Sequence, residues 1–140
     1  MAALYSFEVH TPNRLFYSES VEAVVLSLMD GEVGVYANHS PFTAPVSTCI
    51  LKIKDKNGNW KIAFIDEGIL EVKKTKTILI TDNAEWPEEI DYERATEMKD
   101  RAEFILAGAI HKFEIDTASS FLKRAQVQIK AWEQGQQKTS

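Results

Sequence analysis

Apolar and polar positions alternate with a period of two along the first part of the chain, and recur at steps of three and four along the last. The change falls in the stretch Trp86 to Arg94, WPEEIDYER. Before it, Tyr5, Phe7 and Val9 alternate with Ser6, Glu8 and His10, which predicts a half-buried strand ended by Thr11, Pro12 and Asn13. A run from Arg14 to Tyr17 is expected to pair back on it, and Val21 to Met29 predicts a longer strand turned by Asp30 and Gly31. A short strand bracketed by Gly31 and Gly34 leads to a polar corner before Pro41. Thr43 to Asp55 continues as strand, Asn57-Gly58 signals a hairpin, and Trp60 to Asp66 returns along it. ILEVKK after Gly68, then Thr75 to Asp82, close the series. About nine or ten short strands at this spacing predict an antiparallel β-sandwich.

Pro87 cannot donate to a sheet ladder and biases Trp86 away from helical dihedrals, so strand pairing is expected to stop there. Asp91 then suits a helix N-cap, with Glu93 in the first turn where the helix dipole favours an acid. Ala95, Met98, Ala102, Ile105 and Ala109 fall on one helical face. Gly108 loosens the end of that helix, and residues 110–115 read as a connecting loop before Asp116, a second candidate N-cap. A second face follows at Ala118, Leu122, Ala125, Ile129 and Trp132, with Phe121 beside it. Gly135 and the polar residues after it are expected to close the chain without regular structure. The predicted fold is therefore β + α: a sandwich over residues 1–86 and an antiparallel two-helix hairpin over residues 87–140.

The alanines at 95, 102, 109, 118 and 125 allow close helix approach but remove little apolar surface from water, so docking between the helices is expected to be weak. Charge supports the pairing. Five acids and three bases lie from Asp91 to Glu103, against three bases and one acid from Thr117 to Glu133, so opening the hairpin would free a basic helix.

With 44% hydrophobic residues in 140, the chain can build a core without disulfides. Its one cysteine, Cys49, alternates with Leu51 and Ile53 and reads as a buried residue in a reducing compartment. No run approaches the roughly 18 apolar residues of a membrane span, and the first ten residues lack the basic and apolar blocks of a signal peptide. A net charge of -5 without a basic stripe argues against nucleic acid. His10, His39 and His111 share no metal-ligand spacing with one another or with Cys49. Gly31 and Gly34 make neither a dinucleotide fingerprint nor a phosphate loop, no serine lies in a nucleophile elbow, and Glu88-Glu89 reads as a solvated helix approach. The residues carry no catalytic constellation.

Three stretches, GEVGVYANHSP at 31–41, EGILEV at 67–72 and IDYERA at 90–95, occur in this order ahead of two amphipathic helices. With them the chain resembles, over nearly its whole length, the epsilon subunit of F-type ATP synthases, in which the stretches usually read GELGIYPGHAPL, GGILEV and an isoleucine or leucine followed by D-x-x-R-A. Glu67 departs from the first glycine of the second stretch, and Ala37-Asn38 from the Pro-Gly before the histidine.

The resemblance implies a non-catalytic subunit of the central rotor, joining the gamma shaft to the membrane ring of c subunits and coupling ion flow to ATP synthesis. Glu32, Tyr36, His39 and Pro41 correspond to a ring-facing loop, and one outer sheet face is expected to pack on gamma. The hairpin corresponds to a regulatory part: folded it permits turnover, and extended along gamma it blocks hydrolysis. Lys123, Arg124 and Lys130 are the expected contacts with acidic segments of the alpha and beta subunits.

IDYERA also resembles an ATP-binding signature of some bacterial members, which implies Asp91, Arg94 and Ala95 at a nucleotide, with further positions at Glu85, Ile90, Arg101 and Arg124. Gln128 stands where the better binders carry another arginine, so ATP is expected only as a weak regulatory ligand and no cofactor as a requirement. Helix capping and an intrahelical ion pair explain IDYERA equally. The expected location is peripheral, at the cytoplasmic face of a bacterial inner membrane, reached through partners. Two rival readings are a free-standing ATP sensor, which the missing arginine undercuts, and a carbohydrate-active sandwich, for which no inward carboxylate pair is present.

Overall fold

The computed structural model describes residues 3–138, which form two compact units dividing between Glu85 and Trp86. The first unit holds nine strands: β1 (Tyr5–His10), β2 (Leu15–Leu28), β3 (Gly31–Tyr36), β4 (Phe42–Val46), β5 (Cys49–Asp55), β6 (Trp60–Ile65), β7 (Gly68–Val72), β8 (Lys76–Thr81) and β9 (Ala84–Glu85). One layer runs β1-β8-β7-β4 and the other β3-β2-β5-β6-β9, antiparallel throughout except for the parallel pair β1/β8. This is the β-sandwich that the alternation predicts.

β2 joins the layers. The sequence reads as two strands here, yet the structure has a single strand of 14 residues. Its first half pairs with β1, from His10↔Leu15 to Tyr5↔Val21, and its second half pairs with β3, from Ala23↔Tyr36 to Leu28↔Gly31. The change of partner falls at Glu22, where the register against β5 also shifts. Such an irregularity kinks a strand and resets which side chains face inward. Val21, Ala23, Val24 and Leu26 are all buried as a result, and Glu22 turns out to meet the Lys54 ammonium at 3.2 Å.

The expected single strand from Thr43 to Asp55 is instead two, because the chain crosses between layers at Ser47 and Thr48. The Ser47 amide donates to the Ser27 carbonyl, and the Thr48 hydroxyl donates to the Asp66 carboxylate at 2.8 Å in the interior. Phe7, Val9, Leu26, Leu51, Ile53, Phe64, Leu70 and Leu79 fill the space between layers. Cys49 lies among them, buried as its alternation predicts, with the Ser27 amide 3.4 Å from its sulfur.

The second unit opens with a single 3-10 turn, Pro87–Glu89, followed by α1 (Tyr92–Gly108) and α2 (Lys112–Lys138). Asp91 caps α1, its carboxylate accepting from the Arg94 amide at 3.1 Å. α2 departs from the sequence reading at both ends. It begins at Lys112, not at Asp116, and the Ile115 amide already donates to the His111 carbonyl. Glu114 in its first turn is well placed for the helix dipole, which offsets the weak helix preference of Phe113, Ile115 and Thr117. At the other end the helix continues through Gly135 to Lys138, so the predicted irregular tail is helical as far as described, and residues 139 and 140 lie outside the described residues.

The helices pack on each other through alanines: Ala95 and Ala102 on α1, and Ala118, Ala125 and Ala131 on α2, are buried. Ala109, Met98, Leu122, Ile129 and Trp132 are half-buried. Ile105, expected on the seam, is 41% exposed, because the alanines bring the helices close and leave larger side chains at the rim.

Candidate functional site

The residues singled out from the sequence fall on β3 and the β3–β4 corner, on α1 and the segment before it, and on α2, with Glu85 alone at the end of the sandwich. In the β3–β4 corner, Tyr36 ends β3 and is 59% exposed. The chain then turns at Asn38, whose φ of 63° is the left-handed conformation that asparagine tolerates better than most side chains. That asparagine can hold the turn explains how Ala37-Asn38 serves in this corner. His39 packs its ring on Phe42, centroids 5.2 Å apart, and its Nδ1 is 2.9 Å from the Ser40 carbonyl, while Pro41, two residues on, is exposed. Tyr36, His39 and Pro41 thus share one corner. Glu32 does not join them: it lies four residues back, about 13 Å along the strand at the usual rise. It is close in sequence to the β2–β3 turn, where Met29 is 71% exposed. Met29 lay inside an apolar run and gave no separate signal; its exposure depends on the turn at Asp30-Gly31, where Gly31 has φ 140°.

Of the residues that the resemblance implies at a nucleotide, Asp91 at the N-cap and Arg94 and Arg101 on α1 line a groove of about 440 Å³ with Glu93, Glu97 and Met98. Three carboxylates accompany two guanidiniums there, so the groove is not a cationic cradle. Ile90 and Ala95 are buried and present no side chain to it. Arg124 stands on α2 with its guanidinium 5.5 Å from the centre of the Phe121 ring, and Glu85 belongs to the sandwich, where it pairs with Phe64. Gln128 is half-buried on α2.

Lys123 and Lys130 are exposed on α2, seven residues apart and so about 10.5 Å along the same side of the helix. Arg124, grouped with them from the sequence, is half-buried. Towards the far end of the hairpin Phe104, Ile110 and Phe113 are each more than 80% exposed.

On the outer face of the sandwich, Ile69 of β7 and Ile80 of β8 are direct cross-strand partners, 52% and 57% exposed, with Pro45 of β4 opposite Ile69. Alternation alone did not single out this pair. Ionic contacts flank the same layer: the Glu8 carboxylate accepts from Lys76 at 2.9 Å and lies 2.8 Å from His10 Nε2. These hydrogen bonds hold Glu8 below the usual carboxylate range, the one from His10 acting most strongly. No described helix is long and apolar enough to cross a membrane.

Comparison with known proteins covers both units. Residues 4–87 match the model of the ATP synthase delta/epsilon chain β-sandwich domain, and residues 88–133 match the long α-helix domain of the same chains. An ATP synthase epsilon chain of Caldicellulosiruptor bescii is 40% identical over 135 residues, 96% of this chain and 98% of that one. One from Caldanaerobacter subterraneus subsp. tengcongensis is 40% identical over 131 residues, 93% and 94% of the two chains. Among solved structures, a chain of the Euglena gracilis mitochondrial ATP synthase superposes with a TM-score of 0.73 at 18% identity, covering all of this chain and 84% of that one. A chain of the central stalk and c-ring structure of the Tetrahymena thermophila mitochondrial enzyme gives 0.66 at 12% identity, covering 94% and 98%. At these identities the structures speak to the fold.

Proposed function

This chain belongs to the ATP synthase epsilon-chain family, and from that premise we propose that it is a rotor subunit whose sandwich binds its neighbours and whose hairpin governs ATP hydrolysis. Members of the family are non-catalytic: the sites that make and hydrolyse ATP lie in other subunits. The observation that carries the role is the match of both units, in order, to relatives of nearly the same length.

The sandwich joins a gamma shaft to a ring of c subunits. The Ile69/Ile80 pair supports the gamma contact, since adjacent exposed isoleucines on an outer sheet face gain most from being covered by a partner. The corner at Tyr36, His39 and Pro41, together with Glu32 on β3 and the turn holding Met29, supplies exposed groups toward the ring. The hairpin is the regulatory part. Lys123 and Lys130 face outward where acidic segments of alpha and beta subunits can meet them, while Arg124 contributes once α2 leaves its packed position.

ATP acts at most as a weak regulatory ligand. The groove at Asp91, Arg94 and Arg101 holds one more carboxylate than guanidinium, which opposes a polyanion. With no cofactor required, the subunit works at the cytoplasmic face of a bacterial membrane and is held there through its partners.

The test compares ATP hydrolysis by an epsilon-depleted F-type complex after adding the full chain or a truncation ending at Glu89. Binding of both with inhibition by the full chain alone is the expected result. Failure of both to bind overturns the rotor role, and equal inhibition by both removes regulation from the hairpin.

A further inference from the structure

A glycine inside a helix needs a reason, because it has no side chain to pack and costs backbone entropy. Gly135 stands in the last turns of α2, and the reason lies across from it. A Cβ built there would overlap Cβ of Pro87 and fall 3.1 Å from its Cγ. The proline ring occupies the space that any other residue would fill. Pro87 is itself held firmly: the Trp86 amide donates to the Glu89 carboxylate at 2.8 Å, the Glu89 amide to the Trp86 carbonyl at 2.9 Å, and the Ile90 amide to the Pro87 carbonyl at 3.2 Å. One helical turn back from Gly135, Ala131 is fully buried, and the Trp132 ring lies 4.3 Å from the Tyr92 ring, tilted by 34°.

We propose that this base contact, Gly135 seated on Pro87 and Trp132 on Tyr92, is a latch that keeps the hairpin closed, and that its release lets the alanine seam part. The consequence for hydrolysis rests on the regulatory reading of the hairpin. The division of labour follows from side-chain size. The seam buries alanines, each with little apolar area, whereas the base joins two aromatic rings and a proline. Contact at the base thus adds two aromatic rings and a proline to what the alanine seam contributes. Because α2 is already helical through Gly135, replacing that glycine favours helix equally in the closed hairpin and in any open state that keeps the helix. Only the encounter with Pro87 separates the two.

The test uses the full chain with Ala102→Cys, a buried seam position, and follows its rate of labelling by a maleimide; buried Cys49 in the sandwich is the internal reference. Gly135→Ala is expected to raise labelling at position 102 about ten-fold, the change in open population that 1.4 kcal/mol produces, with Cys49 unchanged. Trp132→Leu should do the same without adding bulk. Adding Pro87→Gly to Gly135→Ala should return labelling toward the starting rate. Unchanged labelling in both Gly135→Ala and Trp132→Leu overturns the latch, as does parallel acceleration at Cys49, which would make the contact a support of the whole fold. In the reconstituted complex a released latch should inhibit hydrolysis more strongly. If labelling rises and hydrolysis does not change, the latch stands and regulation by the hairpin falls.

Discussion

Tyr5 donates its phenolic hydrogen to the main-chain carbonyl of Val35, 2.7 Å away and thirty residues later in the chain. The bond is buried, and it links β1 to β3, which among the described strands pairs only with β2. An edge strand that leads into the Tyr36 corner is thereby fixed from the inside. Tyr5→Phe should cost about 1–2 kcal/mol, since a buried carbonyl loses its donor. Urea unfolding measures the loss, and hydrogen exchange should show β3 amides loosened first.

The same tyrosine sets a limit at high pH. Burial, with a smaller contribution from Tyr36, pushes the Tyr5 phenol far above the usual tyrosine range, and burial followed by the Glu19 and Asp55 carboxylates raises Tyr17. The folded chain thus holds these protons more tightly than the unfolded one. Their stabilising contribution is complete below about pH 10, the ordinary tyrosine value, and is lost as pH rises through the folded values. Denaturation midpoints should be set by other groups up to that point and fall beyond it, with a shallower fall in Tyr5→Phe.

Two glycines make opposite predictions. A Cβ at Gly68 would run into the Ile80 carbonyl on the neighbouring strand, so Gly68→Ala should destabilise the sandwich by about 3 kcal/mol. At Gly108 a Cβ meets nothing, and Gly108→Ala should stabilise α1 by about 0.5–1 kcal/mol. Thermal unfolding of the two variants decides the matter.

At the start of α1 one carboxylate is open to two explanations. If Asp91 serves only as the N-cap, Asp91→Ala should cost about 1 kcal/mol and Asp91→Asn almost nothing, because asparagine caps equally well. Calorimetric titration with ATP completes the comparison. Weak or no binding is expected in the unsubstituted chain, and tight binding would contradict the charge balance of the groove.

Ile69→Lys places a charge in the centre of the exposed isoleucine pair without touching the interior. It should leave unfolding within about 0.5 kcal/mol of the starting value, as surface substitutions usually do. Binding to a gamma-containing complex should nevertheless drop at least about ten-fold, the equivalent of 1.4 kcal/mol. Retained binding would move the gamma contact to another face.

Local pattern carried this chain far. Alternation over Tyr5 to Val9 and over Cys49 to Ile53 predicts which side chains turn inward, and all of Tyr5, Phe7, Val9, Cys49, Leu51 and Ile53 are buried. Pro87 and Asp91 mark where strands give way to helix, because proline removes a ladder donor and an aspartate satisfies open amides. Short motifs in fixed order point to the family. These features depend on neighbours within a few residues, so a one-dimensional reading reaches them.

What remained hidden depends on partners distant in sequence. That β2 is one strand changing partner at Glu22 is decided by β1, β3 and β5 together. Extension of α2 at both ends runs against local propensity: Phe113, Ile115 and Thr117 favour helix weakly, and Gly135 reads as a terminator until Pro87 is found in the space its side chain would occupy. The Ile69/Ile80 pair exists only through strand register, and the mixed charge of the Asp91 groove only through which side chains of α1 line it. Residue type and spacing suffice for the strand-to-helix boundary, the inward positions of β1 and β5, and the family, since those depend on near neighbours along the chain. The change of partner along β2, the ends of α2 and the exposed Ile69/Ile80 pair come instead from packing and register between segments far apart along the chain.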